Sequence, residues 1–180
     1  MIILLGITGS IAAYKTPEII RQLKKTKIDS STVSQFKVQP IITRNATHFV
    51  TPLTLSTVAE TEVSIEHSDT FYSESHLELA RSADILVIAP ATANFIAKAA
   101  NGIADDLLTT VFLAYQGPKL IVPAMHEEMF DNPLTQQNIQ TLKSHDVDFL
   151  GPVSGDLACG DKGRGRMVDP DIIVSNIEAI

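Results

Sequence analysis

The sequence contains no tryptophan and a single cysteine, Cys159, among its 180 residues. One cysteine excludes an intrachain disulfide, and no Cys/His spacing resembles a zinc site, so no metal is expected and the reducing cytoplasm is the expected compartment. No run approaches the roughly 18 apolar residues that a membrane span needs. The apolar start Met1–Leu5 lacks a basic leader and is interrupted by Gly6 and Gly9, and it reads as a first strand rather than a signal peptide. Basic residues are scarce: 14 Lys plus Arg stand against 21 Asp plus Glu, a net charge of -7. That balance argues against nucleic acid or an anionic membrane as a partner and leaves a small molecule. Neither GxGxxG nor GxxxxGK(S/T) occurs, so a dinucleotide or a nucleoside triphosphate is not indicated.

What is present is a globular composition, 44% hydrophobic and 19% charged, at a length suited to one domain spanning residues 1–180. Apolar runs at Ile2–Leu5, Lys37–Ile42, Asp84–Ala89, Lys119–Val122 and Val147–Leu150 read as strands. Between them, helical spacing appears at Ile11–Lys25, Thr47–Val50, Pro52–Glu60, His76–Arg81, Asp105–Tyr115 and Pro133–His145, with Ser75 as a cap, and a last helix follows at Asp171–Ile180. Residues 26–36, Thr61–Ser75 and Pro123–Asn132 read as loops, and Phe49 as either a core residue or one facing a ligand. Strands alternating with helices predict an α/β, three-layer, doubly wound (Rossmann-like) parallel sheet, whose ligands bind at the carboxyl ends of the strands.

Candidate site residues cluster at that edge. The GxxGS turn, Gly9-Ser10 with Ile11 opening the helix, allows close approach of a phosphate at a helix amino end, and Thr43 can add a hydroxyl. Pro90 stands where the backbone is expected to leave the sheet, and Ala91, Thr92, Ala93 and Asn94 suit a flat ligand, or else form an ordinary helix-capping turn. Ala124 follows the next strand at the same edge. Gly151–Asp169, with five glycines and no apolar period, reads as a mobile flap. Its Lys162, Arg164 and Arg166 can close over an anion.

Three stretches carry a resemblance. PATANFIAKAANGIADDLLTT resembles the PASANT motif, PAMHEEMFDNP the PxMNxxMW motif, and LACGDKGRGRM the cysteine flap of the homo-oligomeric flavin-containing cysteine decarboxylases. Their order, with the GxxGS turn before them, extends the likeness over nearly the whole chain. Within the family the LACGD flap is most similar to the branch that turns 4′-phosphopantothenoylcysteine into 4′-phosphopantetheine and carbon dioxide in coenzyme A biosynthesis. That branch is often fused to a synthetase domain in bacteria. A chain stopping at Ile180 resembles the stand-alone form, or one cut from a fusion.

The resemblance implies bound FMN, held by Gly9, Ser10, Ile11, Thr43, Thr92, Ala93, Asn94 and Ala124. It implies a homotrimer or a higher homo-oligomer, a dodecamer among them, in which one subunit's residues complete another's site. Its active-site histidine falls on His76 and its cysteine on Cys159, while His126, Met129, Leu157 and Ala158 fall on substrate-binding positions. His48, His67 and His145 match nothing and are expected to be structural or exposed. The chemistry needs such parts because direct loss of carbon dioxide would leave a carbanion with no electron sink. Oxidising the carbon that bears sulfur first gives a thioaldehyde, which can delocalise the electron pair as an enethiolate before the electrons return. A histidine ordinarily titrates at about pH 6.5 and can shuttle a proton or orient a carboxylate. A cysteine ordinarily titrates at about pH 8.5 and can donate one at neutral pH.

Three positions depart from the motifs: His126 stands for asparagine, Phe95 for threonine and Phe130 for tryptophan. An imidazole N–H can still donate to a carboxylate, so activity is expected to survive at position 126. Asp105 and Asp106 are adjacent and point about 100° apart on a helix, one expected at the cofactor or a neighbouring subunit and the other in solvent. Open alternatives are a peptidyl-cysteine decarboxylase acting on a peptide C-terminus and a flavin-fold regulatory subunit without turnover.

Overall fold

The computed structural model describes residues 1–29, 32–65 and 75–180. The chain begins with β1 (Ile2–Ile7), a 3₁₀ turn over Ile11–Lys15 and α1 (Thr16–Lys25). The expected single helix Ile11–Lys25 is therefore split. Ser10 Oγ accepts from Ala12 N at 3.3 Å and caps the 3₁₀ turn, and Pro17 then starts the α-helix at a position where its missing N–H costs nothing. The expected loop 26–36 contains a small antiparallel pair, β2 (Lys27–Asp29) and β3 (Thr32–Gln35). After β4 (Lys37–Ile42) come a 3₁₀ turn at Arg44–His48, α2 (Pro52–Ala59), capped by Thr51, and β5 (Ser64–Ile65). Residues 66–74, with His67, and the capping side chain of Ser75 lie outside the described residues.

The second half holds α3 (Ser75–Ser82), β6 (Ile85–Ala91), α4 (Ala93–Ala100), α5 (Leu107–Ala114) and β7 (Lys119–Pro123). It continues through α6 (Glu127–Asp131), α7 (Pro133–Lys143) and β8 (Val147–Phe149), and ends with β9 (Val153–Asp156), β10 (Lys162–Arg166) and α8 (Pro170–Glu178). Six strands form one sheet in the order β5-β4-β1-β6-β7-β8, every neighbouring pair parallel. The chain runs outward from β1 through β4 to β5, then returns to β6 beside β1 and runs outward the other way. This is the doubly wound fold expected from the sequence, with its strand order reversing between β1 and β6.

Burial on both faces explains the unbroken apolar runs of the central strands. Ile3, Leu5 and Ile7 of β1 join Val87 of β6 under α1, α2 and α8, while Leu4, Leu86 and Ile88 face α3, α4, α5 and α7. Each such Leu or Ile, wholly removed from water, stabilises the fold by about 1.5–3 kcal/mol.

Four expectations are corrected. Pro90 does not end the strand, because β6 continues through a cis Ala89–Pro90 bond to Ala91 with a shift in its pairing to β7. The loop before α7 contains α6. Phe49 is 42% exposed and outside the core. The glycine-rich segment 151–169 is an antiparallel hairpin of β9 and β10, followed by Met167 and Val168, which are buried in the core. His48 and His145 are exposed, as expected.

Where β1 and β6 end side by side, Thr8 joins them. Its side chain, buried to 3% exposure, donates to Pro90 O at 2.8 Å and accepts from Thr92 N at 3.0 Å. The isosteric Thr8→Val takes the side-chain partner from the Thr92 amide and leaves Pro90 O only the longer bond from the residue 8 amide, at 3.3 Å, and it is expected to lower stability by about 1–3 kcal/mol in chemical denaturation.

Candidate functional site

A cleft of about 970 Å³ lies at the carboxyl ends of the strands, spanning the point where the strand order reverses. On one side stand Gly9, Ser10 and Ile11, with Thr43 beside them. Gly9 is required there, since a Cβ would stand 2.6 Å from Asn45 Cβ. Thr43 Oγ1 donates to Ile7 O at 3.3 Å and sits at the end of β4. The floor is Thr92, Ala93 and Asn94 with Ala124. Thr92 caps α4, its Oγ1 accepting from Phe95 N at 3.3 Å. The capping turn is thus also the floor of the cleft. Phe95 is only 3% exposed and packs edge-on against Phe112, with centroids 5.5 Å apart, supporting the floor from below.

The remaining wall combines the start of α6 with the β9–β10 hairpin. His126, Met129, Leu157, Ala158 and Cys159 all border the cleft. His126 is the N-cap of α6, its Nδ1 accepting from Glu128 N at 3.3 Å. With Nδ1 accepting, the proton of the neutral ring sits on Nε2, which faces Asp161 Oδ2 at 3.4 Å. Cys159, exposed on the hairpin turn, directs its Sγ to that same oxygen at 3.4 Å. The hairpin is held close. Gly165 O accepts from Met125 N at 3.0 Å, Arg164 N donates to Glu127 Oε1 at 2.8 Å, and any Cβ on Gly165 would collide with the Met125 carbonyl.

Of the residues expected to hold the cofactor, bind the substrate or act in catalysis, His76 is the one missing from the described cleft wall. It lies half-buried in the first turn of α3, which packs on α5. The expectation that Lys162, Arg164 and Arg166 confront an anion is also revised, because each is paired with an acid. Lys162 lies 3.9 Å from Asp156. Arg164 bonds Asp131 and stacks over Phe130 at 5.0 Å, and so acts as a clasp between hairpin and α6. Arg166, which does line the cleft, forks onto Asp169 at 2.6 and 2.7 Å.

Several cleft residues escaped the sequence reading. Lys98 lies on the wall and bonds Asp105 at 2.7 Å and Asp106 at 3.3 Å. The hydrogen bond to Asp105 is the main cause that holds the Lys98 ammonium above its ordinary pKa and the Asp105 carboxyl below its own. Asp106 also caps α5 through a reciprocal bond with Thr109. Neither acid is merely solvated. Their only sequence signal is a lysine one helix length upstream, across a Gly-containing turn. Lys15 likewise lines the cleft and bonds Asp169 at 3.0 Å, 154 residues away, which no local pattern reveals.

The profile of the flavoprotein family matches residues 1–180. The chain belongs to that family. Among curated relatives, the coenzyme A biosynthesis bifunctional protein CoaBC of Haemophilus influenzae is 44% identical over 173 residues, 95% of this chain and 41% of the relative. The chain therefore spans about two fifths of the length of the curated relatives it matches. Among solved structures, a Cys-to-Ser mutant of PPC decarboxylase complexed with pantothenoylaminoethenethiol superposes with a TM-score of 0.86. It is 30% identical and covers 99% of this chain and 96% of its own. The FMN-dependent cysteine decarboxylase SpaF gives 0.79 at 29% identity, covering 98% and 94%. Both superpositions extend over nearly the whole of this chain.

The Lys15–Asp169–Arg166 cluster ties the hairpin's end to the first helical turn beneath the cleft. Arg166 first and Lys15 second depress the Asp169 carboxyl below its ordinary value. A depressed carboxyl stabilises the fold above its unfolded pKa, and that contribution is lost as the pH falls through the lower folded value. Asp169→Asn is therefore expected to melt lower than wild type at neutral pH, with the gap closing below about pH 4 when both are followed by circular dichroism.

Proposed function

We propose that the chain is an FMN-dependent decarboxylase of 4′-phosphopantothenoylcysteine that yields 4′-phosphopantetheine in coenzyme A biosynthesis. The observation that carries this reading is one cleft at the strand-order reversal whose wall joins the Gly9 turn to Cys159. Membership in the flavoprotein family and the activities named for its relatives point the same way.

The residues fit FMN. Gly9, Ser10 and Ile11, with the Thr43 hydroxyl, offer a polar cradle for the phosphate at the cleft wall. Ala93 and Ala124 leave room for a flat ring, and the exposed Asn94 amide is free to turn to its polar edge. When bound, FMN supplies a two-electron sink that accepts a hydride from the carbon bearing sulfur and later returns it.

The chain's own groups bind, orient and protonate. His126 presents Nε2–H as a single donor; the substrate carboxylate takes the place of Asp161 on it. Met129 supplies an apolar contact beside it, and Leu157 and Ala158 cover the substrate from the hairpin. Once carbon dioxide has left, Cys159 delivers its Sγ proton to the enethiolate and becomes a thiolate. Asp161, already the acceptor for that thiol, aims it before transfer. Lys98, locked between two carboxylates, keeps the α4–α5 wall at fixed separation.

His76 completes the site from a second copy of the chain, and the protein works as a homotrimer or a multiple of it in the cytoplasm. What supports this is its place on α3, away from the cleft of its own chain. Exposed apolar residues nearer the cleft, Ile11, Tyr14 and Met129, are available for such an interface. Among the described residues no helix is long and apolar enough to cross a membrane.

Purified protein is expected to be yellow, and its colour to bleach anaerobically on adding phosphopantothenoylcysteine. Cys159→Ser is expected to release carbon dioxide yet accumulate the unsaturated thiol. A colourless protein unable to take up FMN overturns the reading, and turnover only of a peptide ending in cysteine moves the substrate class. Co-refolded His76→Asn and Cys159→Ser chains, each inactive alone in forming the saturated thiol, are expected to regain part of that activity, because some interfaces then pair an intact histidine with an intact cysteine. No recovery in mixtures shown by light scattering to be trimeric would place both groups in one chain.

A further inference from the structure

The replacement of the motif asparagine by His126 puts an imidazole, a thiol and a carboxylate together at the rim of the cleft. One ligand atom from each of His126, Cys159 and Asp161 lies within 4.8 Å of the others. We propose that these three residues form a binding site for a thiophilic divalent cation of the zinc class.

The geometry supports a tetrahedral ion with water in the fourth position. Ligand atoms about 2.0–2.3 Å from zinc stand roughly 3.3–3.8 Å from one another. The Nε2 to Oδ2 separation, long for a hydrogen bond, and the Sγ to Oδ2 separation are both 3.4 Å, already at that spacing. Only the imidazole-to-thiol edge has to close. The ligand set excludes magnesium and calcium, which take oxygen, and favours zinc, cobalt or cadmium, which take sulfur and imidazole.

A further carboxylate stands where such sites require one. Ligation by Nε2 moves the ring proton to Nδ1, which must then donate instead of accepting from Glu128 N. Glu128 Oε2 lies 3.9 Å from Nδ1 and becomes the acceptor, the carboxylate–histidine–metal arrangement that fixes ring orientation. Cys159 releases its thiol proton to solvent on binding, so one proton leaves for each ion bound.

The ligands come from two elements 33 residues or more apart, and the structure holds those elements in register. The Met125–Gly165 and Glu127–Arg164 bonds fasten the hairpin onto the segment bearing His126. No large ordering cost therefore falls on the ion. Its functional consequence rests on the function proposed above: a metal-bound thiolate has no proton to give, so the ion arrests reduction reversibly. Binding itself does not depend on that function.

Metal-stripped, flavin-loaded protein is mixed with zinc chloride, desalted and assayed for metal content and for turnover. One zinc per chain is expected, with turnover lost and restored by a chelator, and with no effect of magnesium. His126→Asn, Cys159→Ser and Asp161→Asn are each expected to weaken zinc binding about tenfold or more, and Glu128→Gln by up to about tenfold. Cobalt-loaded protein is expected to show a thiolate-to-cobalt absorption band, read as a difference from the zinc-loaded form and missing in Cys159→Ser. Failure to retain zinc, or equal retention by the wild type and all three ligand variants, overturns the site whether or not the enzyme is active. Zinc bound in a protein that decarboxylates nothing keeps the site and overturns only the function.

Discussion

The hydroxyl of Thr8 joins two strand ends that a doubly wound sheet would otherwise leave diverging. Where the strand order reverses, the connections from β1 and β6 leave for opposite faces, and a crevice opens between them. A crevice of that kind exposes backbone groups with no sheet partner. Thr8 satisfies one carbonyl and one amide of the β6 end from the β1 side, and so fixes how far apart the cleft's two floors stand. The Gly9 turn and the Thr92 cap then project from a common, rigid base. Everything assigned to a ligand in this protein hangs from those two turns or closes over them.

How much of this was legible depended on how local the cause was. The central strands read plainly because burial on both faces demands uninterrupted Val, Ile and Leu, and the order of strands and helices then prescribes the edge where ligands bind. The Thr92 cap was legible for the same reason, since its side chain acts on an amide three positions away, whereas the caps at Ser10 and Thr51 went unread. The C-terminal hairpin was not legible. Its glycines are there because the backbone of Gly165 runs against the carbonyl of Met125 and Gly163 faces Glu127, and such close approach leaves no apolar period. Pro90 misled because proline normally leaves a sheet, whereas here the pairing to β7 shifts register around it. Phe49 misled because apolar character alone does not say which side of a short turn faces the core.

Electrostatics shows the same divide between type and place. An acidic chain with three cations in one segment suggested an anion trap. Instead the acids are distributed so that each of those cations has a carboxylate within the fold, and the clasp of Arg164 on Asp131 serves assembly of the wall. The surplus of acid is thus partly structural. His126 shows what a single substitution can do in such a setting: it keeps one donor facing the cleft, as an asparagine would, and caps α6 with its other nitrogen.

The return of the chain's last segment to its first has a consequence for how the protein folds and endures. Met167, Val168 and three residues of α8 complete the same core as Ile3, Leu5 and Ile7, and the cleft wall runs from Gly9 to Arg166. Contacts that distant in sequence close slowly, since loop entropy must be lost before they repay it. The cleft is accordingly assembled from the whole length of the chain rather than from one subdomain. A ligand that recognises the finished cleft binds only the fully folded chain, and its binding free energy is added to the stability of the whole sheet. Cofactor occupancy thereby raises the stability of the whole fold.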